Sequence, residues 1–223
     1  MSWLDIFKPK KKWPSFIEHY IQSCKSIKKT SPLDELRFVC FDSESTSLEP
    51  STARLLSLAA VSITKEGIDV NSALDCFVHW AGDAKPENVE IHGVTNQQSK
   101  EGMEPEEVIK LFLQYIEGAV LIAHNISFDK AMFEAIFKKY FGPLKLKNPL
   151  LDTARMAIRL ELAPMERNNY NSDDYTLDAL FDRYGILPVE RHSALGDAYS
   201  TELLFMKLKD KLKVRGVIKL NLF

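Results

Sequence analysis

Cysteine is scarce in this chain. The three present, Cys24, Cys40 and Cys76, are scattered and odd in number. That excludes a disulfide framework and a cysteine-based zinc site, fits a reducing compartment, and leads us to expect a cytoplasmic protein. No apolar run approaches the ~20 residues that a membrane-spanning helix needs. The opening "MSWLDIFKPKKKW" lacks an apolar core of signal-peptide length, and its charges follow its apolar residues rather than precede them. Internal repeats and low-complexity tracts are missing. So is a surplus of positive charge, because the net charge is −2. What remains is 223 residues at 45% hydrophobic and 27% charged, an ordinary globular composition with enough chain to bury a sizeable core.

The charge is unevenly spread. Residues 1–30 carry a net +5 and the remainder −7. An acidic body with a basic arm needs a reason, and a cluster of metal-binding carboxylates is one. We divide the chain into a basic N-terminal extension over 1–33, a main domain over 34–213 and a C-terminal tail over 214–223. In the extension, Phe16, Ile17, Tyr20, Ile21 and Cys24 recur at helical spacing, which predicts a short amphipathic helix packed on the domain; the basic stretch before it could instead touch phosphates.

From Arg37 onward, apolar periodicity predicts strands over 37–43, 54–64, 69–80 and 119–124 and near 148–152. Helices are predicted from Pro105 to Gly118, over 127–140, 152–161, from Thr176 to Gly185 and over 194–212. "AVLIAH" is a continuous apolar run, as expected of a strand covered on both faces. Three strands followed by alternating helices and strands predict a mixed α/β sheet. The polar stretch 163–174 reads as a long loop that could cover a site.

The acids are arranged with respect to these elements. In "FVCFDSESTSLEP", Asp42 and Glu44 stand two residues apart at the end of an apolar strand, so they share one face. Asp129 opens a helix whose inward stripe is Met132, Phe133, Ile136, Phe137 and Tyr140. Asp197 lies on a stripe with Ala194, Thr201, Leu204 and Leu208, five residues after His192. Three elements thus aim carboxylates at one region. Four such acids could not all ionise unaided, and hard, oxygen-rich ligation suits two Mg²⁺ or Mn²⁺ ions, the arrangement that activates water in phosphoryl transfer.

The ordered stretches "FDSEST" (41–46), "IHGVT" (91–95), "AHNISFD" (123–129), "LLDTARMA" (150–157), "TLDAL" (176–180) and "HSALGDA" (192–198) resemble the DEDDh family of 3′–5′ exonucleases, and look most like its bacterial DNA polymerase III proofreading (epsilon) members. The resemblance covers roughly residues 36–210. It implies a ribonuclease-H-like fold, a mixed five-stranded sheet flanked by helices. It also implies a metal-dependent exonuclease that releases nucleoside 5′-monophosphates from the 3′ end of DNA, in proofreading or repair. Carried over by position, Asp42, Glu44, Asp129 and Asp197 would hold the metals and His192 would be the general base, a task suited to imidazole. Ser45 and Thr46 would hold the terminal nucleotide, Leu48 would wedge against its base, and His124, Asn125 and Phe128 would line the pocket. Ser47 stands where the family usually has glycine.

Other readings stand beside this one. An RNA-trimming exonuclease would use the same scaffold, because the 2′-OH is discriminated by pocket detail. A catalytically dead nucleic-acid-binding module or a non-enzymatic divalent-ion protein would need neither the full acid set nor a histidine. His92 is the rival histidine and reads as a turn residue before a helix starting at Thr95, while Asp152 reads as a helix N-cap. The final Leu220-Asn221-Leu222-Phe223 resembles the short sliding-clamp-binding peptide, with Lys219 where glutamine is usual. Those apolar residues either pack on their own domain or anchor the chain to a clamp and its DNA polymerase.

Overall fold

The computed structural model describes residues 13–28, 30–64, 67–80 and 93–220. The basic run Lys8–Lys12, His92, Leu222 and Phe223 lie outside the described residues. Five strands form one sheet: β1 (Arg37–Ser45), β2 (Leu55–Thr64), β3 (Gly67–Phe77), β4 (Ala119–Ala123) and β5 (Leu150–Asp152). Their order is β3-β2-β1-β4-β5. β1 pairs antiparallel with β2, and β2 with β3, whereas β4 runs parallel to β1 and β5 parallel to β4. This is the mixed five-stranded architecture expected from the strand and helix order. β3 ends at Phe77, three residues earlier than its pattern suggested, because Val78 leaves the ladder to bridge Met103.

The helices are α1 (Ser15–Cys24), α2 (Asn96–Glu101), α3 (Pro105–Tyr115), α4 (Ser127–Tyr140), α5 (Thr153–Glu161), α6 (Leu177–Tyr184) and α7 (Ala194–Val214). Their ends follow local chemistry. Thr95 caps α2 in a reciprocal capping box with Gln98. Pro105 sits at the start of α3, where its missing N–H costs nothing. Asp152 caps α5 through Ala154 and Arg155, and Gly185 stops α6 in the left-handed region.

Strand alternation divides the core in two. On one face of the sheet, Val39 and Phe41 pack with α1, α3 and α4; on the other, Phe38 and Cys40 pack with α5, α6 and α7. Phe112 and Phe133 stack with ring centroids 4.8 Å apart, and Phe41 abuts both. Each fully buried aromatic contributes roughly 1.5–3 kcal/mol. Because Phe133 lies one turn after Asp129, this cluster also fixes the start of α4.

Both chain ends described here are tied to the domain. Ile17 and Tyr20 of α1 are fully buried, and the Tyr20 hydroxyl donates to Asn148 Oδ1 at 2.7 Å. After α7, Leu33 N–H donates to the Ile218 carbonyl, Lys219 bridges Pro32, and Leu220 is buried in the α5–α7 core. The first leucine of the clamp-like tail is therefore committed to its own domain, for the ordinary reason that apolar side chains near a chain end bury where a core is within reach. Cys24, Cys40 and Cys76 are free and buried. Among the described residues, no helix is long and apolar enough to cross a membrane.

Candidate active site

Strand β1 delivers two carboxylates to the C-terminal edge of the parallel part of the sheet, where open α/β folds gather ligands. Asp42 and Glu44 are half-buried there. Asp197, in the first turn of α7, comes from the sheet face on which Cys40 and Phe38 also lie, and it is 6% exposed. Oxygens of Asp42, Glu44 and Asp197 lie within 4.8 Å of one another. Asp129 approaches from the opposite face. Ser43, the residue between the two β1 acids, donates its hydroxyl to Asp129 Oδ1 at 2.6 Å. The end of β1 is thus straddled by carboxylates, two of its own on one face with Asp197 above them, and Asp129 beyond.

Burial and mutual repulsion disfavour ionisation. Asp42 is pushed well above the usual carboxylate range, first by desolvation and then by Asp129, Glu44 and Asp197. Glu44 is pushed up to about 7 by desolvation and by Asp197, with Arg191 opposing. Asp129 is raised to about 7 by desolvation, against the Ser43 hydrogen bond. The donor set is all carboxylate oxygen with no sulfur, which fits a hard divalent cation such as Mg²⁺ or Mn²⁺.

Sequence reasoning passed over Arg191. Its guanidinium donates to Asp197 Oδ1 and pairs with Asp178 at 2.8 Å, and it lies over the Phe181 ring. A cation beside His192 and Asp197 in "RHSALGD" was the available signal. His192 itself is exposed with φ of +64°, and its backbone N–H donates to Asp197 Oδ2 at 3.2 Å. Glu190 also has positive φ, so the 190–192 turn is strained. Two glycines make room for it. A Cβ on Gly93 would lie 2.3 Å from the His192 carbonyl oxygen, and one on Gly196 would lie 2.2 Å from that of Val189. The "IHGVT" and "HSALGDA" stretches therefore meet in space through Gly93 and His192.

The residues expected to line a nucleotide pocket differ in what they leave available. Leu48 is 89% exposed, an apolar side chain free to meet a base. Thr46 N–H already donates to the Arg54 carbonyl, and the Ser45 hydroxyl to that of Ser47. The Thr46 hydroxyl in turn accepts from the Arg54 N–H at 3.1 Å, so these groups hold the β1–β2 turn together. Ser47 lies outside the left-handed region, so glycine is not required at this position. Asn125 takes φ of +55°, which asparagine tolerates. Phe128 packs half-buried against the aromatic core. His124 Nδ1 meets Thr153 Oγ1 at 3.0 Å, its Nε2 is buried without a hydrogen-bond partner among the described residues, and desolvation holds the ring below the usual histidine range.

A family model described as Exonuclease matches residues 39–205. A DNA polymerase III subunit epsilon-like protein of Rhodobacter capsulatus is 34% identical over 193 residues, 84% of this chain and 26% of that protein. A PolC-type DNA polymerase III of Thermotoga maritima is 27% identical over 210 residues, 92% of this chain and 14% of that protein. Among solved structures, E. coli Exonuclease I in complex with a dT13 oligonucleotide superposes with a TM-score of 0.64 at 20% identity, covering 81% of this chain and 42% of that one. The chain thus spans about a quarter or less of these curated relatives, and it shares its fold with a nuclease less than half of which it matches. With the family model spanning most of its length, the chain belongs to the exonuclease family.

Proposed function

We propose that this protein is a metal-dependent 3′–5′ exonuclease acting on DNA. The observation that carries the reading is the convergence of Asp42, Glu44 and Asp197 within 4.8 Å, with Asp129 across the strand. Those four acids would hold two divalent ions, Mg²⁺ or Mn²⁺, which when bound neutralise the cluster, activate water and stabilise the leaving oxygen. His192, exposed beside Asp197, takes the proton from the attacking water. The water oxygen bonds to phosphorus, the P–O3′ bond to the penultimate nucleotide breaks, and a proton from solvent caps the released 3′ oxygen. The products are a nucleoside 5′-monophosphate and a chain one nucleotide shorter. Leu48 and Phe128 bracket the terminal base, and Asn125 and His124 complete the pocket. Ser45 and Thr46 act by shaping the turn that presents Leu48.

The polymerase III names of the relatives favour work beside a DNA polymerase, in proofreading or repair. A sliding-clamp tether would have to use residues 221–223 alone, because Leu220 is buried. The test is degradation of matched DNA and RNA oligonucleotides, labelled in turn at the 5′ and 3′ ends, with Mg²⁺ and with EDTA. Stepwise shortening of 5′-labelled DNA with mononucleotide release, stopped by EDTA, is expected. Preferential loss of the RNA would establish the RNA-trimming alternative, and internal cleavage would overturn both.

A further inference from the structure

Beyond the carboxylates, a groove of about 720 Å³ runs along the β5 edge of the sheet. It is lined by Ser127 at the start of α4, Leu150 and Asp152 of β5, Arg155 and Arg159 of α5, and Leu220. Arg155 is exposed and Arg159 half-buried. Neither guanidinium has an acidic partner among the described residues, whereas Arg183 pairs with Glu161 and Arg191 with both Asp178 and Asp197. Two such arginines four residues apart lie on one helix face, about 6 Å apart along its axis. The acid of the lining is already satisfied. Asp152 accepts from the N–H groups of Ile126, Ala154 and Arg155, so its charge is directed into the protein rather than against the arginines.

The groove lies next to the elements that carry the candidate active site. Ser127 stands between Asn125 and Asp129, and Asp152 pairs with Ala123, the residue before His124. β4 separates β5 from β1, so the groove begins two strand spacings, roughly 10 Å, from Asp42. A strand whose 3′ end lies over the carboxylates must leave in some direction, and this side offers an open channel lined by cations. Guanidinium groups suit phosphate oxygens in both charge and fork geometry.

We propose that Arg155 and Arg159 bind the phosphodiester backbone of the hydrolysed strand upstream of its terminal nucleotide. The proposal rests on the exonuclease reading for its polarity. The same chemistry could come from the complementary strand of a duplex, and the experiment separates the two sources. Arg155→Gln and the double variant Arg155→Gln/Arg159→Gln are compared with the unaltered protein on three substrates: the p-nitrophenyl ester of thymidine 5′-monophosphate, a 20-nucleotide single strand, and the same strand in a duplex. Binding of the single strand is measured in parallel by fluorescence anisotropy in EDTA across a salt series.

For the double variant, the ratio of kcat/KM on the single strand to that on the ester should fall about tenfold. The slope of log affinity against log salt should flatten by about 1.4, that is, roughly 0.7 for each phosphate that is no longer neutralised. Arg155→Gln alone should flatten it by about half as much, which guards against a folding defect from the half-buried Arg159. A loss confined to the duplex would overturn the proposal in favour of the complementary strand. An unchanged salt slope in an active enzyme would overturn it while leaving the exonuclease reading intact. An unaltered protein that hydrolyses none of the substrates would overturn that reading, and the anisotropy slopes would still decide the groove.

Discussion

Glu202 is the sharpest energetic anomaly of the fold. It is fully buried on α7, and neither carboxylate oxygen has a hydrogen-bond partner among the described residues. Desolvation pushes it up to about 8 from an ordinary value of 4.5, so at neutral pH it is a buried neutral acid. The sign of the pH effect follows. The unfolded chain releases this proton near 4.5, whereas the folded one holds it until about 8. Stability is therefore fully present below 4.5 and is lost as pH rises toward 8. At 1.36 kcal/mol for each pH unit, the interval corresponds to at most about 5 kcal/mol, and water entering the site reduces this to about 2–4 kcal/mol.

Replacing Glu202 with Gln removes the titration and keeps the shape. Urea unfolding of both proteins in EDTA at about pH 5 and about pH 8 isolates the effect, because the carboxylate cluster is common to both. Relative to the unaltered protein, Glu202→Gln should gain about 2–4 kcal/mol across that interval. Glu202→Met should raise the melting temperature at the higher pH, because it also removes the buried polar atoms. Parallel stability curves for Glu202→Gln and the unaltered protein would refute the reasoning.

Three further outcomes follow from the site. Arg191→Gln leaves Asp197 without its cation and should lower metal-free stability by about 1–3 kcal/mol; added Mg²⁺ should then raise the melting temperature more than in the unaltered protein, and an equal rise in both would show that the guanidinium does not offset the cluster's charge. Gly93→Ala forces a Cβ against the His192 carbonyl and should cut activity at least tenfold while lowering the melting temperature by only a few degrees; full activity would mean the 190–192 turn is not part of the machinery. His192→Ala should slow hydrolysis about 10²-fold or more, and a His92→Ala variant equally impaired would reverse the roles given to the two histidines.

Much of the fold was legible because its signals are local. The alternation and apolar runs of β1 to β4, the Pro105 start of α3, and the Thr176 and Gly185 limits of α6 all depend on neighbours in sequence. The inward acids were legible for the same reason, since Asp42 and Glu44 end an apolar strand and Asp129 and Asp197 lie on apolar helical stripes. Tertiary pairing was not. Nothing in the spacing of Asp42, Ser43 and Glu44 says that Ser43 would reach Asp129 across the opposite sheet face. Nor does it say that the Thr46 N–H would be consumed by Arg54. Glu202 escaped notice because α7 buries two stripes. The second, Ala198, Glu202 and Phe205, runs beside the one containing Asp197, and a charged residue within it reads as surface until the sheet is in place. Arg191 was hidden by its neighbour, as the histidine beside it drew the functional assignment.

The acid cluster can be tested at Asp42, the residue that Glu44, Asp129 and Asp197 all press against. Hydrolysis of a 5′-labelled single-stranded DNA should be followed in Mg²⁺ for the unaltered protein and for Asp42→Ala, with the metal-free melting temperature of each. We predict that Asp42→Ala loses hydrolysis below detection while melting at the same temperature or higher, because a metal ligand and a source of carboxylate repulsion disappear together. Undiminished hydrolysis by a folded Asp42→Ala protein would contradict the assignment of this cluster as the catalytic metal site.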